Sequence, residues 1–231
     1  MVYIVIPHRA TGTDELRYTL RSLEANFKVP VNVIVSGDCP AWLQNVTKVD
    51  NEYKHSMAQL DCDVNIYTAL EYVNGTEFYL WNDDFIMLKP ATHILPYHAG
   101  KLKDVMLDKM LNPATAPSAN DMARTLIYLD QLGYHEALAY TLHIPVLYNK
   151  ANYIKLHQRI RQELKMHTLL PRTLYGNMYN LGGKQQADNK LYDPNQPLPN
   201  SMFISTWEHT LNGTAWQAIK AMYPNKSKYE R

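Results

Sequence analysis

Apolar and polar positions follow a strand rhythm and a helix rhythm by turns along this chain. Val2 to Ile6 is a short β-branched run ended by Pro7, the pattern of a first strand buried on both faces of a parallel sheet. After a loop at His8 to Gly12, Thr13 reads as an N-cap with Asp14 and Glu15 in the first turn. Leu16, Leu20, Leu23 and Phe27 then recur at helical spacing and form the apolar face of an amphipathic helix. Val31 to Val35 predicts a second strand closing on Ser36-Gly37-Asp38, and Val46 to Val49 a third. Asp63 reads as the cap of the next helix, with Ile66, Leu70 and Val73 on one side and Asn74-Gly75 as its stop. The Glu77 to Trp81 run predicts the following strand.

The C-terminal half is more helical. Leu102, Val105, Met106 and Met110 form one apolar stripe, and Tyr153, Leu156, Ile160 and Leu164 another; both read as packing surfaces. Between them, Asn112 to Asn120 carries Pro113 and Pro117 and predicts a loop or flap. Leu181-Gly182-Gly183-Lys184 and Asp193-Pro194-Asn195-Gln196-Pro197 are further irregular stretches. Thr214 to Met222 predicts a last short helix, followed by a basic tail from Lys226 to Arg231 that is expected to fray.

Alternation of strands and helices argues for an α/β fold with a mostly parallel sheet and helices on both sides. In open sheets of this kind, ligands bind beyond the carboxyl ends of the strands. His8-Arg9, Ser36-Gly37-Asp38 and Asn82-Asp83-Asp84 all fall at such ends, so these segments are expected to meet in one crevice. The last of them says most, because its carboxylates interrupt an otherwise apolar run from Phe78 to Leu88. Adjacent acids are costly to bury unpaired, so a strand that ends in them faces a cation, a hydrogen-bond network or water. Carboxylate oxygens suit hard ions such as Mg²⁺ or Mn²⁺, which in turn hold phosphate oxygens. The other reading is a strand-end turn in which Asp83 or Asp84 caps the following segment.

At 231 residues the chain is long enough for one large α/β domain, or a core with a smaller appendage. Its 46% hydrophobic and 19% charged residues exclude a disordered or low-complexity protein. Cys39 and Cys62 are the only cysteines, which excludes a disulfide framework and a cysteine-rich zinc site. They are expected to be buried thiols in a reducing compartment. The N-terminal apolar run is too short for a signal peptide or a membrane span, so a cytoplasmic location is the expectation. Net charge is only +1, yet between Val146 and Lys190 eight Lys or Arg face two acids, a local balance of +6. Tyr148, Tyr153, Tyr175 and Tyr179 interleave with those cations. An anionic ligand, a nucleic-acid surface and a solvated helix face all stay open for this segment.

A carboxylate-held ion at a sheet end suits a substrate with a diphosphate, because the ion bridges phosphate oxygens and offsets charge on the leaving group. Nucleotide-sugars and nucleoside triphosphates both fit. Neither a G-x-x-x-x-G-K-[ST] loop nor a G-x-G-x-x-G after the first strand occurs, which removes the usual support for P-loop or dinucleotide binding. Arg172, and Lys184 after Gly182-Gly183, are candidates to neutralise the diphosphate, with surface solvation as the other reading. Trp42 and Trp81 read as core, although a strand-end tryptophan can also stack on a base or sugar.

Three stretches carry a resemblance. Asp14-Glu15-Leu16-Arg17-Tyr18-Thr19-Leu20-Arg21-Ser22-Leu23, then Pro40-Ala41-Trp42-Leu43, then Tyr79-Leu80-Trp81-Asn82-Asp83-Asp84-Phe85-Ile86 resemble the Stealth family of sugar-phosphate transferases. More broadly they are similar to glycosyltransferases of the GT-A fold, whose Asp-x-Asp signature ends a central strand. The similarity covers about the first 90 residues, and His143-Ile144-Pro145 with Lys150 resembles a later Stealth motif. It implies a GT-A, Rossmann-like sheet, with residues 1–99 as the nucleotide-sugar-binding core and 100–231 as a more helical, acceptor-side part of the same domain. It also implies a divalent metal cofactor, Mn²⁺ or Mg²⁺, held by Asp84, with Asp83 or Asn82 assisting it or the donor ribose. Pro7-His8-Arg9 and Ser36-Gly37-Asp38 would hold the nucleotide. Arg17 and Arg21 belong to the recognised motif, and an exposed salt-bridging role is the other reading for them. Glu208 and His209, in Thr206-Trp207-Glu208-His209, fall where such enzymes often place a last metal ligand or an acceptor-side residue. With Asp83 they are the catalytic candidates, and surface capping is their alternative.

Stealth proteins show a Trp-Val and acidic pattern after the first strand, where this chain has Ile4-Val5-Ile6-Pro7-His8-Arg9, and the chain is short. The expectation is therefore metal-dependent glycosyl transfer from a nucleotide-sugar donor to an acceptor. Sugar-1-phosphate transfer is the second reading. Nucleic-acid binding or DNA glycosylation is the third, since the acceptor is either a saccharide or DNA held through the basic 146–190 segment.

Overall fold

The β-branched runs become strands, and the amphipathic segments between them become helices laid against the sheet. The computed structural model describes residues 1–10, 13–51, 58–112, 116–164 and 169–231, without the side chains of 58–60, 116–117 and 161–164. In chain order the elements are β1 (Val2–His8), α1 (Glu15–Asn26), β2 (Val31–Gly37), β3 (Thr47–Asp50), α2 (Ala58–Ala69), β4 (Glu77–Leu80), β5 (Phe85–Met87) and β6 (Tyr97–His98). There follow α3 (Leu102–Met110), α4 (Ala116–Gln131), β7 (Val146–Asn149), α5 (Lys150–Leu164), α6 (Pro171–Met178), β8 (Lys184–Gln185), β9 (Phe203–Ser205) and α7 (Thr214–Met222). Short 3₁₀ turns lie at Leu70–Tyr72 and Glu208–Asn212.

The chain divides into two compact units. The first comprises Met1–Ile94, His143–Lys150 and Asn189–Arg231. Its main sheet has the order β3-β2-β1-β4-β7 and is parallel except for β7, which runs antiparallel to β4. Val2 pairs with Val31 and the register continues to His8 opposite Gly37, which in turn pairs with Asp50. The carboxyl ends of β1, β2 and β3 therefore finish level with one another. Ile4, Val5, Ile6, Val33, Ile34 and Val35 are buried in the sheet, and Leu16, Leu20 and Leu23 are the buried face of α1. Each such side chain contributes on the order of 1.5–3 kcal/mol. A second, two-stranded sheet pairs β5 antiparallel with β9, and Ile86, Ile204, Trp216 and Ile219 form a core with α7.

The second unit comprises Leu95–Leu142 and Ala151–Asp188. Here α3 packs on α4, and β6 pairs with β8 in parallel. Gly176 in α6 lies under the Tyr140 ring, where an added Cβ would meet a ring carbon at 2.2 Å.

Several expectations change. Helix α1 starts at Glu15 with Asp14 before it, and Thr13 Oγ1 donates to Glu15 Oε2 at 3.1 Å instead of capping. Helix α2 starts at Ala58, so Asp63 is a buried interior residue and not a cap. The third strand runs Thr47–Asp50, one residue on from its predicted place. Residues from Ala116 to Asn120 are helical rather than a flap, with Pro117 in the first turn, where its missing N–H is tolerated. Met110 is 56% exposed and leaves its predicted packing stripe. The C-terminal tail is docked: Tyr229 and Glu230 are buried, and Arg231 N donates to the Trp42 carbonyl at 2.9 Å. Trp81 is core as expected, whereas Trp42 lies under the Arg17 guanidinium at 4.0 Å. Neither cysteine is in a disulfide, and both are only half-buried. Gly12, Pro113, Lys165 and the side chains of Arg161, Glu163 and Leu164 lie outside the described residues.

Candidate functional site

The level strand ends of the first unit build one crevice from several segments. Gly37 closes β2 at φ +114°, and a Cβ there would sit 2.1 Å from the His8 carbonyl oxygen, so only glycine lets β1 and β2 finish this close. The chain beyond is tied down at once. Asp38 N donates to His8 O at 3.0 Å, and Asp38 Oδ2 accepts from Ala10 N at 2.8 Å. Asn51 N donates to Gly37 O at 3.2 Å, and its side-chain amide donates to Asn65 Oδ1 on α2 at 2.9 Å.

Two hollows result. The larger, about 760 Å³, is lined by Ala10, Gly37, Asp38, Cys39, Asp50 and Asn51. The smaller, about 200 Å³, is lined by Pro7, His8, Arg9, Asp61, Asn82 and Asp83 among others. His8, Arg9, Asp38, Asn51, Asp61 and Asn65 also line a common space, which makes the two hollows neighbours along the sheet edge. Burial beside Asp50 pushes the Cys39 thiol up to about 11, so this cysteine is an inert wall residue.

Asn82-Asp83-Asp84 forms the turn between β4 and β5, with Phe85 N donating to Asn82 O at 3.2 Å. Neither aspartate side chain is consumed by capping. Asp83 Oδ2 meets His8 Nδ1 at 2.5 Å, and its carbonyl accepts from Thr19 Oγ1 at 2.7 Å. Asp84 Oδ2 accepts a short hydrogen bond from Ser205 Oγ, and its carbonyl accepts from Thr206 N at 3.1 Å. Thr206 Oγ1 in turn donates to Glu15 Oε1 at the start of α1. Glu15, Asp83 and Asp84 thus form an acid cluster at the β4 end.

Burial pushes the Asp84 carboxyl up; the Ser205 hydrogen bond opposes this, Asp83 adds to it, and His143 and Lys190 ease it. Burial likewise pushes Glu15 up, countered by Thr206 and Thr13 and reinforced by Asp84 and Asp83. Burial and mutual repulsion thus raise both carboxyls, and a cation placed among them would lower both again. Among the described residues, no group of three or more His, Cys, Asp and Glu side chains is arranged to hold a metal by itself. A hard ion here would draw ligands from the substrate as well as the chain, the usual habit of Mg²⁺ beside phosphates.

The structure brings Pro7, His8, Arg9, Gly37, Asp38, Asn82 and Asp83 to this crevice wall, with Asp84 next in the turn. Ser36 is fully buried in β2, and its hydroxyl does not line the hollows. Glu208 and His209 are exposed on the 3₁₀ turn after Thr206, where His209 Nε2 donates to the Tyr192 carbonyl at 2.9 Å. Arg172 and Lys184 belong to the second unit: Arg172 Nη1 donates to Leu142 O at 3.1 Å, and Lys184 is an exposed residue of β8. Sequence reasoning missed Glu15, Ser205, Asp50, Asn51, Asp61 and Asn65. Asp61 and Asn65 were findable, because polar residues four apart on an apolar helix face share one side of it. Starting the helix at Asp63 hid them.

Among the described residues no helix is long and apolar enough to cross a membrane. No known protein family matches the chain by sequence. No curated protein matches it either. Solved structures do match in three dimensions, among them two that each match over 98% of this chain and 98% of their own length. One is the galactosyltransferase LgtC in complex with donor and acceptor sugar analogues, at a TM-score of 0.53 and 12% identity. The other is an active-site mutant of LgtC, at 0.53 and 10% identity. The mixed α/β architecture, with its mostly parallel sheet flanked by helices, is the GT-A fold of LgtC.

Proposed function

We propose that this chain is a glycosyltransferase that moves a sugar from a nucleotide-sugar donor to an acceptor hydroxyl with the help of Mn²⁺ or Mg²⁺. One observation carries the reading: an acid cluster with raised carboxyls stands at the end of β4, beside two hollows at the ends of β1, β2 and β3. The shared fold of LgtC, a protein captured with donor and acceptor sugar analogues, supports it. The larger hollow has room and hydrogen-bonding partners for a nucleoside, with Asp38, Asp50 and Asn51 to meet ribose hydroxyls or base N–H groups. Asp83 at the smaller hollow, with Asp84 beside it in the turn, would hold the ion, which would supply charge neutralisation for the departing diphosphate. His209 is left out of that set because its Nε2 is bonded to Tyr192.

The roles of the chain's own residues follow. His8 fixes the Asp83 carboxylate from behind, so that its orientation is set before substrate arrives. Arg9 adds a positive charge to the phosphate side of the crevice. As the bond from the anomeric carbon to the diphosphate oxygen breaks, the electron pair leaves with the diphosphate, and the acceptor oxygen takes its place on that carbon. The acceptor's proton goes to Glu208, the exposed carboxylate two residues beyond Thr206.

The test is a thermal-shift series with UDP and GDP, each with and without Mn²⁺. Stabilisation is expected only when nucleotide and ion are both present, and Asp83→Asn should remove it while lowering transfer at least about 100-fold. Equal stabilisation by nucleotide in EDTA would reject the ion-bridged site. Release of a nucleoside diphosphate rather than a monophosphate separates glycosyl transfer from sugar-1-phosphate transfer.

A further inference from the structure

Trp207 is an anomaly among the tryptophans. Trp81 and Trp216 are 0% and 3% exposed, and Trp42 is covered by Arg17, yet Trp207 is 51% exposed. A single exposed ring is common on a protein surface; what sets Trp207 apart is its backing and its place.

Its setting is rigid. Trp207 N donates to Thr210 Oγ1 at 3.0 Å, Thr210 N returns a bond to Trp207 O at 2.7 Å, and Thr210 itself is buried. The indole packs edge to face with the His209 ring at 4.1 Å and 86°, while His209 is anchored on the Tyr192 carbonyl. Lys190 Nζ stands 5.4 Å from the indole ring centre. The ring is thus backed by neighbours and presents a fixed surface, so little conformational entropy remains to be lost when a ligand covers it.

Its position matters as much. Trp207 follows Thr206, whose backbone N–H holds Asp84 and whose hydroxyl holds Glu15. Adjacent Cα atoms are about 3.8 Å apart, so the indole is rooted one residue from the acid cluster. Around it, Glu208, Tyr192 and Lys190 offer an acceptor, a phenol and a cation.

We propose that Trp207 is the stacking platform for the acceptor, and that the acceptor is a saccharide presenting a pyranose ring. This rests on the glycosyl-transfer reading. A pyranose has an apolar C–H face and a rim of hydroxyls, which matches a flat aromatic surface bordered by polar side chains. Glu208, the exposed residue next to Trp207, is then the nearest carboxylate along the chain to serve as base for the acceptor oxygen.

Trp207 is the tryptophan most open to solvent, so its emission reports directly on the platform. The probes are methyl glycosides of glucose, galactose, mannose and N-acetylglucosamine, titrated without donor. At least one should change the emission saturably; Trp207→Ala should weaken that binding at least about tenfold, and Trp207→Phe, which keeps a stacking face, should stay within about threefold of wild type. Both variants are checked by thermal melting, and the Phe variant keeps the test informative if Ala unfolds the turn. No saturable change with any glycoside overturns the platform, as does glycoside binding that survives in Trp207→Ala. A response to a single-stranded oligodeoxynucleotide but not to glycosides also overturns it, in favour of base stacking. Nucleotide binding without glycoside binding defeats this inference alone, whereas glycoside binding without ion-dependent nucleotide binding defeats the transferase reading and leaves a saccharide-binding surface.

Discussion

Two carboxylates packed against helix α1 receive opposite treatment. Glu230 is fully covered, and burial by itself would push its carboxyl up; hydrogen bonds from Arg21, the Ser227 amide and Arg17 overcome that and hold it at about 2. Glu15, in the first turn of the same helix, is pushed up by its burial and by the charges of Asp84 and Asp83, which the hydrogen bonds from the Thr206 and Thr13 hydroxyls oppose without overcoming. A fully compensated charge is a structural clamp, whereas a deficit of cations at a crevice is what an incoming cation relieves. The difference separates the part of the unit that holds itself together from the part that is built to hold something else.

The largest effect should come from breaking the clamp. Glu230→Ala takes the buried anion from two guanidinium groups and leaves Arg17 with only the exposed Asp14 at 3.1 Å; removing one partner of a buried ion pair costs about 3–5 kcal/mol. Urea unfolding at neutral pH measures it. The same group predicts acid sensitivity. Its folded value of about 2 lies below the ordinary 4.5, so its contribution is present in full above pH 4.5 and is lost as pH falls toward 2. By linkage that contribution is on the order of 3 kcal/mol, in line with the mutational figure. A loss under about 1 kcal/mol would show that water solvates the stranded arginines, and the contrast with Glu15 would vanish.

The acid cluster should respond with the opposite sign. Because Glu15 and Asp84 are raised in the folded protein, their neutral forms favour folding. That contribution is whole below the unfolded carboxyl values and is lost as pH rises through the raised folded ones. Glu15→Gln replaces the charge with a neutral group that still reaches Thr206, so the ion-free protein should melt a few degrees higher at pH 7 and lose its decline over the rising limb. Mn²⁺ should raise the wild-type melting temperature more than that of Glu15→Gln. Melting curves from pH 4 to 8, with EDTA or Mn²⁺, read both statements. A variant that melts lower than wild type at pH 7 would mean that the Glu15 charge is already compensated.

Much of this architecture could be read along the chain. β-branched runs located β1 and β2, although β1 continues through Pro7 to His8, where a loop was expected; the apolar run after Asn74-Gly75 located β4, and Thr214 to Met222 marked α7 to the residue. Those are local signals. What escaped depends on contacts between distant positions. Arg17 and Arg21 read as motif residues or as exposed salt-bridging cations, and their partner is more than two hundred residues away, in a tail whose charge alone predicted fraying. Phe85 to Met87 read as a continuation of β4, but the turn at Asn82-Asp83-Asp84 swings it out to pair with β9, and only that pairing puts Ser205 against Asp84. The acids could therefore be found from sequence, and their compensation could not. Compensation is a property of the fold, and it is what distinguishes a clamp from a site.

The smallest effect, and the one that sharpens the contrast most, belongs to Arg9. It is 54% exposed, with Nη1 4.0 Å from Asp61 Oδ2, a separation and exposure at which an ion pair contributes no more than about 0.5 kcal/mol to folding. Arg9→Ala should therefore leave the urea midpoint almost unmoved. Among the described residues that line the hollows, Arg9 is nevertheless the one arginine or lysine, against Asp38, Asp50, Asp61 and Asp83. If it meets the donor's phosphates, the variant should bind UDP or GDP about tenfold more weakly in the presence of Mn²⁺, and part of that loss should disappear at high salt, where wild-type binding is screened as well. If affinity is unchanged, the divalent ion carries the whole task of bringing a diphosphate into an acidic crevice. The loss of nucleotide stabilisation in Asp83→Asn would then be owed to the ion alone.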